Sequence, residues 1–155
     1  MSFRITGLSP EPFFSLYGLS EAALAERGAR RYIADHAPGF PDRIGLRDAP
    51  PGEAVLLVNY LHQPANTPYR ASHAVFVREG ADVAYDEADQ VPESLLLRIL
   101  SVRAFDAAHM IVDADLVEGG GLEHLITRLF DNPSVAYLHA HYAKYGCYAA
   151  RIGRV

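Results

Sequence analysis

The sequence predicts an α+β fold, a single domain spanning residues 1–155 with a mostly antiparallel sheet and two or three short helices. Three observations predict it. The chain has 155 residues, within the usual range of about 100–200 for one domain. Half of them are hydrophobic and 21% are charged, which supplies a core and is too little charge for intrinsic disorder. Short alternating runs joined by tight turns recur, without the β-α-β succession that a doubly wound parallel sheet requires.

Phe3 to Leu8 reads as a first strand, stopped by Gly7 and Pro10. Ser20 is placed to cap a short helix over Glu21 to Arg27, with Gly28 as its left-handed stop. Arg30 to Asp35 fits either an extension of that helix or a strand, and His36 to Pro41 reads as irregular. Arg43 to Arg47 and Glu53 to Leu61 flank Pro50-Pro51-Gly52, a turn signal that predicts a hairpin. His62 to Pro68 is a loop, because its prolines forbid a central strand. His73 to Arg78 resumes as a strand, Gly80 to Gln90 reads as an exposed excursion, and Pro92 opens a short helix to Leu97.

Arg98 to Phe105 and His109 to Val117 both alternate around Asp106-Ala107-Ala108. A three-residue loop there pairs Phe105 with His109 and Arg103 with Ile111. It assigns Leu100, Val102, Ala104, Met110, Val112, Ala114 and Leu116 to the core face. Gly119-Gly120-Gly121 breaks the strand, and Leu122, Leu125, Ile126, Leu129 and Phe130 then recur at helical spacing. Val135 to Tyr142 and Cys147 to Ile152 form a last strand pair.

Composition excludes several classes of function. With 14 basic against 19 acidic residues and a net charge of −5, the chain lacks an electrostatic footprint for nucleic acid. Its longest apolar run, Ala54 to Val58, is far short of a membrane helix. The start, Met1 to Gly7, has no apolar signal core, so a cytoplasmic location is expected. One cysteine, Cys147, excludes an internal disulfide framework.

Several segments occur together in a fixed order: His62-Gln63-Pro64-Ala65, Pro68-Tyr69-Arg70-Ala71-Ser72, Phe76-Val77-Arg78-Glu79, Arg103-Ala104-Phe105-Asp106, His139-Ala140-His141 and Gly146-Cys147. In these the chain resembles the bacterial domain-of-unknown-function family 1203 over nearly its whole length. The resemblance implies family membership and no chemistry, since that family has no assigned activity. Where its members tend to have asparagine after the second histidine, this chain has Tyr142.

Chemistry must therefore be read from the residues. His139 and His141 are two apart on a strand and share a face, as a ligand pair would. A third ligand, such as His62 or His73, would have to come from elsewhere. A four-residue loop pairs Tyr142 with Cys147 and sends the thiol to the opposite face, whereas a five-residue loop puts it beside both histidines. Paired structural histidines are commoner than ligands, so no cofactor is expected; if a transition metal binds, His139 and His141 hold it. Cys147 with either histidine has the residue types of a nucleophile and its base. Tyr69, Arg70, Ser72 and His73, on and just after a proline-rich loop, join Arg103 as a candidate cleft for an anion, because guanidinium forks match carboxylate and phosphate.

The leading reading is thus a small-molecule-binding domain with an Arg/His-lined cleft for an anionic ligand. A histidine there (His73, His139 or His141), titrating near its ordinary value of about 6.5, would supply acid–base catalysis. The alternatives are a non-catalytic assembly module, with homo-oligomer contacts through its nine tyrosines, or a His-x-His metal protein.

Overall fold

The alternating runs of the C-terminal half assemble into the larger of two antiparallel sheets. The computed structural model describes residues 1–155. Its strands are β1 (Phe3–Thr6), β2 (Arg30–Ile33), β3 (Ala54–Gln63), β4 (Ala71–Arg78), β5 (Asp86–Ala88), β6 (Ile99–Asp106), β7 (Ile111–Glu118), β8 (Val135–Tyr142) and β9 (Tyr148–Arg154). The helices are α1 (Glu21–Glu26), α2 (Glu93–Leu96) and α3 (Leu122–Phe130), with 3₁₀ turns at Glu11–Leu16 and Gly119–Gly121. The six-stranded sheet has the order β5-β1-β9-β8-β6-β7, and the three-stranded sheet the order β2-β3-β4. This is the sheet-dominated α+β fold expected. No helix is long and apolar enough to cross a membrane.

One face of the large sheet buries Leu100, Val102, Ala104, Leu138, Ala140 and Ile152 against Leu122, Leu125, Ile126 and Leu129 of α3. The helical spacing of those α3 residues produces the stripe, and the strand alternation produces the surface that receives it. A second core places Leu56, Val58, Val75 and Val77 of the small sheet against Phe13, Leu24 and Ile44. Ser20 caps α1 by accepting from the Ala23 amide, and Gly28 stops it at φ 69°.

Four readings of the sequence are corrected. His62 and Gln63, read as the start of a loop, complete β3, and only from Pro64 do the prolines keep the chain out of the sheet. Arg43 to Arg47 is a loop, held by the Asp42 carboxylate accepting from the amides of Ile44, Gly45 and Arg78. The partner of β3 at its start is instead β2, whose sequence had fitted helix and strand equally, with Arg30 opposite Leu57. Within Gly80 to Gln90, Asp86–Ala88 is a strand that covers the edge of β1. In the β6–β7 hairpin, Phe105 faces Ile111 rather than His109, and Ala104 faces Asp113. His109 adopts φ 63°, and the Asp106 amide donates to the Met110 carbonyl, so the turn is Ala107-Ala108-His109, one residue further on than expected, and a β-bulge between Ala104 and Phe105 then shifts the register. That extra residue in β7 exchanges its two faces, so Met110, Val112, Ala114 and Leu116, assigned to the core, are exposed. Asp113 and Asp115 turn to the α3 side, where Arg128 pairs with both.

The triple glycine serves packing. A Cβ on Gly119 would stand 2.1 Å from the Leu95 carbonyl oxygen and 2.5 Å from that of Leu96. Neither atom can yield without moving α2. Gly119→Ala is expected to lose more than about 3 kcal/mol of unfolding free energy in urea titration, whereas Gly120→Ala, with nothing within 4 Å of its added Cβ, should cost about 1 kcal/mol or less.

Candidate functional site

Strand β8 is buried on both faces from Tyr137 to Tyr142. Leu138 and Ala140 belong to the α3 core, which sends Tyr137, His139 and His141 to the opposite face. Antiparallel pairing then sets their neighbours. Arg103 lies directly across from His139 on β6, and Arg151 directly across on β9. Ser101 and Tyr148 flank His141, and Phe105 and Gly153 flank Tyr137, in the same way.

The long strand β3 brings the small sheet over this face. A β-bulge between Leu61 and Gln63 turns both His62 and Gln63 inward, where they are 9% and 3% exposed. Bulges re-aim side chains in this way beside functional sites. Gln63 Nε2 donates to the Tyr137 hydroxyl at 2.9 Å, and the His109 Nδ1 lies 2.7 Å from the same oxygen. The His62 ring stacks on Tyr148 with centroids 5.2 Å apart and meets His141 edge-on at 5.0 Å.

Each of His62, His139 and His141 offers one ring nitrogen that lies within 4.8 Å of the other two. Burial disfavours the imidazolium form and pushes His139 and His141 down to about 3 and His62 down to about 4. The charges of Arg103 and of the neighbouring histidines act in the same direction. All three rings are neutral at pH 7, so the expected titration near 6.5 is not met here. His141 Nδ1 donates to the Gly146 carbonyl at 2.9 Å, which leaves its Nε2 lone pair facing inward. The Nδ1 atoms of His62 and His139 are buried without a partner. Orphaned polar atoms of this kind cost about 1–3 kcal/mol each.

Beside the histidines opens a cleft of about 410 Å³, whose lining includes Tyr60, His62, Tyr137, His139, Tyr148 and Arg151 and no carboxylate. Arg151 sits over the Tyr137 ring at 4.8 Å. Arg103 backs the histidines from the β6 side, and its own burial lowers its affinity for a proton. Neither arginine forms a salt bridge.

The structure gathers only part of the predicted set. His139, His141 and Arg103 come together, and His62 is the histidine that joins them. Arg70 instead donates to the Pro64 carbonyl, Tyr69 packs edge-on against Phe105, and Ser72 is exposed on β4. His73 stands on β4 opposite Tyr60, outside the cleft lining. Cys147 takes the four-residue-loop alternative: the Tyr142 amide donates to its carbonyl, and its thiol points into the α3 core. There it accepts from Arg43 at 2.9 Å, on the face of the sheet opposite both histidines.

Arg151, Tyr137 and Tyr148 were not anticipated. Counting back from the Tyr142–Cys147 turn puts Ala150 opposite His139, and a bulge between Ala140 and His141 replaces it with Arg151. No residue in the sequence announces that bulge.

A family model, described as a protein of unknown function (DUF1203), matches residues 39–154. The chain belongs to this family. The match contains every residue of the cleft and leaves out β1, α1 and β2. No curated protein and no solved structure matches the DUF1203 chain.

Two outcomes follow from the buried neutral imidazoles. His139→Phe should leave the unfolding free energy within about 1 kcal/mol or raise it, while Leu138→Ala on the other face of β8 loses about 2–5 kcal/mol. A histidine kept for stability would instead show a clear loss. The unfolded chain protonates its histidines near pH 6.5 and the folded chain does not, so the unfolded state holds more protons below that pH. Stability is therefore full above about 6.5 and falls as the pH drops toward 4. With chelator present, urea titrations from pH 7 to pH 5 should show this fall, with a shallower slope in His139→Phe.

Proposed function

We propose that this DUF1203 protein binds a small anionic molecule in the cleft between β3, β8 and β9. The observation that carries the reading is the row Arg103–His139–Arg151 across three adjacent strands, two cations with no carboxylate partner beside a cleft whose lining holds none. Arg103 is half-buried and Arg151 is exposed at the cleft, and an unpaired guanidinium gains from a ligand that supplies the missing negative charge. The tyrosine hydroxyls of Tyr60 and Tyr148 add polar groups; burial raises both above the ordinary phenol value, so they remain donors. Carboxylates and phosphates are the matching ligand class. Neutral histidines that resist protonation suit lone-pair donation rather than general acid–base catalysis.

Calorimetric titration with inorganic phosphate and with a short dicarboxylate tests this. Wild-type protein should bind at least one of them at a single site, and Arg151→Ala should weaken binding about tenfold or more, equivalent to about 1.4 kcal/mol. Arg70→Ala should leave binding unchanged, because that side chain is engaged with Pro64. Equal losses in both variants would move the site to the proline-rich loop and overturn the proposal.

A second reading, self-assembly, is favoured by β7. It is the outer strand of the large sheet, and Val112 and Leu116 are 43% and 66% exposed on its outward face. Unprotected edges of this kind pair readily with another strand. Light scattering should then report a dimer that Leu116→Arg dissociates, and a monomer at every concentration removes this reading.

A further inference from the structure

We infer that His62, His139 and His141 form a binding site for one divalent transition-metal ion, open on the side of the cleft. The inference deepens the anion-binding reading, and it rests on that reading for what occupies the open side of the ion.

The donor set argues for it first. Three imidazole nitrogens lie within 4.8 Å of one another, and an ion held tetrahedrally at about 2.1 Å from each would draw them to about 3.4 Å apart. Ring movements on the order of an ångström close that difference. Two of the ligands come from alternate positions on the rigid central strand β8 and the third from the β3 bulge, so the backbone already aims all three. His141 is oriented as histidine ligands commonly are, its second nitrogen donating to a backbone carbonyl.

Unsatisfied atoms argue next. His139 is only 5% exposed, and its Nδ1, like that of His62, has no hydrogen-bond partner. A cluster of aromatic side chains maintained for packing alone would not need three imidazoles that together leave two polar atoms orphaned. An ion ligated through those two atoms satisfies both.

The chemistry selects the class of metal. The cluster offers no thiolate and no carboxylate, since Cys147 lies on the other face. Three imidazoles suit zinc, cobalt, nickel, copper or ferrous iron and do not suit calcium or magnesium. Three protein ligands leave at least one coordination position, which is the arrangement of a catalytic rather than a structural site. Arg103 and Arg151 on either side of His139 oppose a dication by charge, and an anion bridging the ion and the arginines removes the opposition. Metal and anion should therefore bind with positive coupling, which must be reciprocal.

The test uses the full-length chain, purified without a histidine tag, stripped with chelator and titrated with Co²⁺ while visible absorption is followed. The expected result is an intense band of low-coordinate cobalt that saturates at one equivalent, is displaced by Zn²⁺, and has its apparent affinity raised severalfold by inorganic phosphate or by the short dicarboxylate. His139→Phe and His62→Gln, each checked for native circular dichroism, should weaken cobalt at least 100-fold. Arg151→Ala should keep the band and lose the anion enhancement. Absence of a band, or a band that survives both histidine variants, overturns the metal site. A band accompanied by no anion effect at all upholds the metal site and overturns the anion reading, so the two fail separately.

Discussion

Strand β8 must satisfy two interiors at once, and much of the architecture depends on that constraint. A strand has only two faces and its side chains alternate between them. Leu138 and Ala140 fill the core under α3. The intervening Tyr137, His139 and His141 are buried on the other side, where apolar residues would serve stability better. Shifting β8 by one residue would exchange the two sets and destroy both. The histidines are thus locked in place by the packing of residues that never touch them.

A second constraint ties the two sheets together. Arg43 is 2% exposed, and its guanidinium donates to the carbonyls of Tyr148 and Pro41 and to the Cys147 sulfur. It also faces the Tyr142 ring at 4.8 Å, with Arg98 over the same ring at 5.0 Å. Arg98 is held in turn by Asp48, at 2.5 and 2.9 Å. A buried charge must find partners or unfold the region around it, so this network pins the 39–48 loop to the start of β9. That position sets Tyr148, which stacks on His62 and so supports the cleft from behind. Cys147 is part of this support.

Charge completes the picture of the cleft. The chain as a whole is acidic, yet the row across β6, β8 and β9 carries two arginines and no carboxylate. Local field and net charge have opposite signs because one describes solubility and the other a site. Acidic side chains elsewhere pair with other arginines, as Glu79 does with Arg31 and Asp86 with Arg4. Arg103 and Arg151 are left without a carboxylate partner.

The α+β class, the α1 cap, the α3 stripe and the strands that became β6 and β8 were all legible in the sequence. Each depends on contacts a few residues apart: alternation, helical spacing, and Ser20 or Gly28 at a helix end. The shared face of His139 and His141 was legible for the same reason. Tertiary structure decided the rest. The buried face of β7 depended on a bulge between Ala104 and Phe105, the pairing of β2 depended on a distant strand, and Arg151 reached His139 through a bulge. His62 joined the other two histidines because a second bulge turned it inward, about 80 residues away along the chain. Local patterns determine which faces exist, whereas bulges and long-range pairing determine which faces meet, and the proposed site lies where they meet.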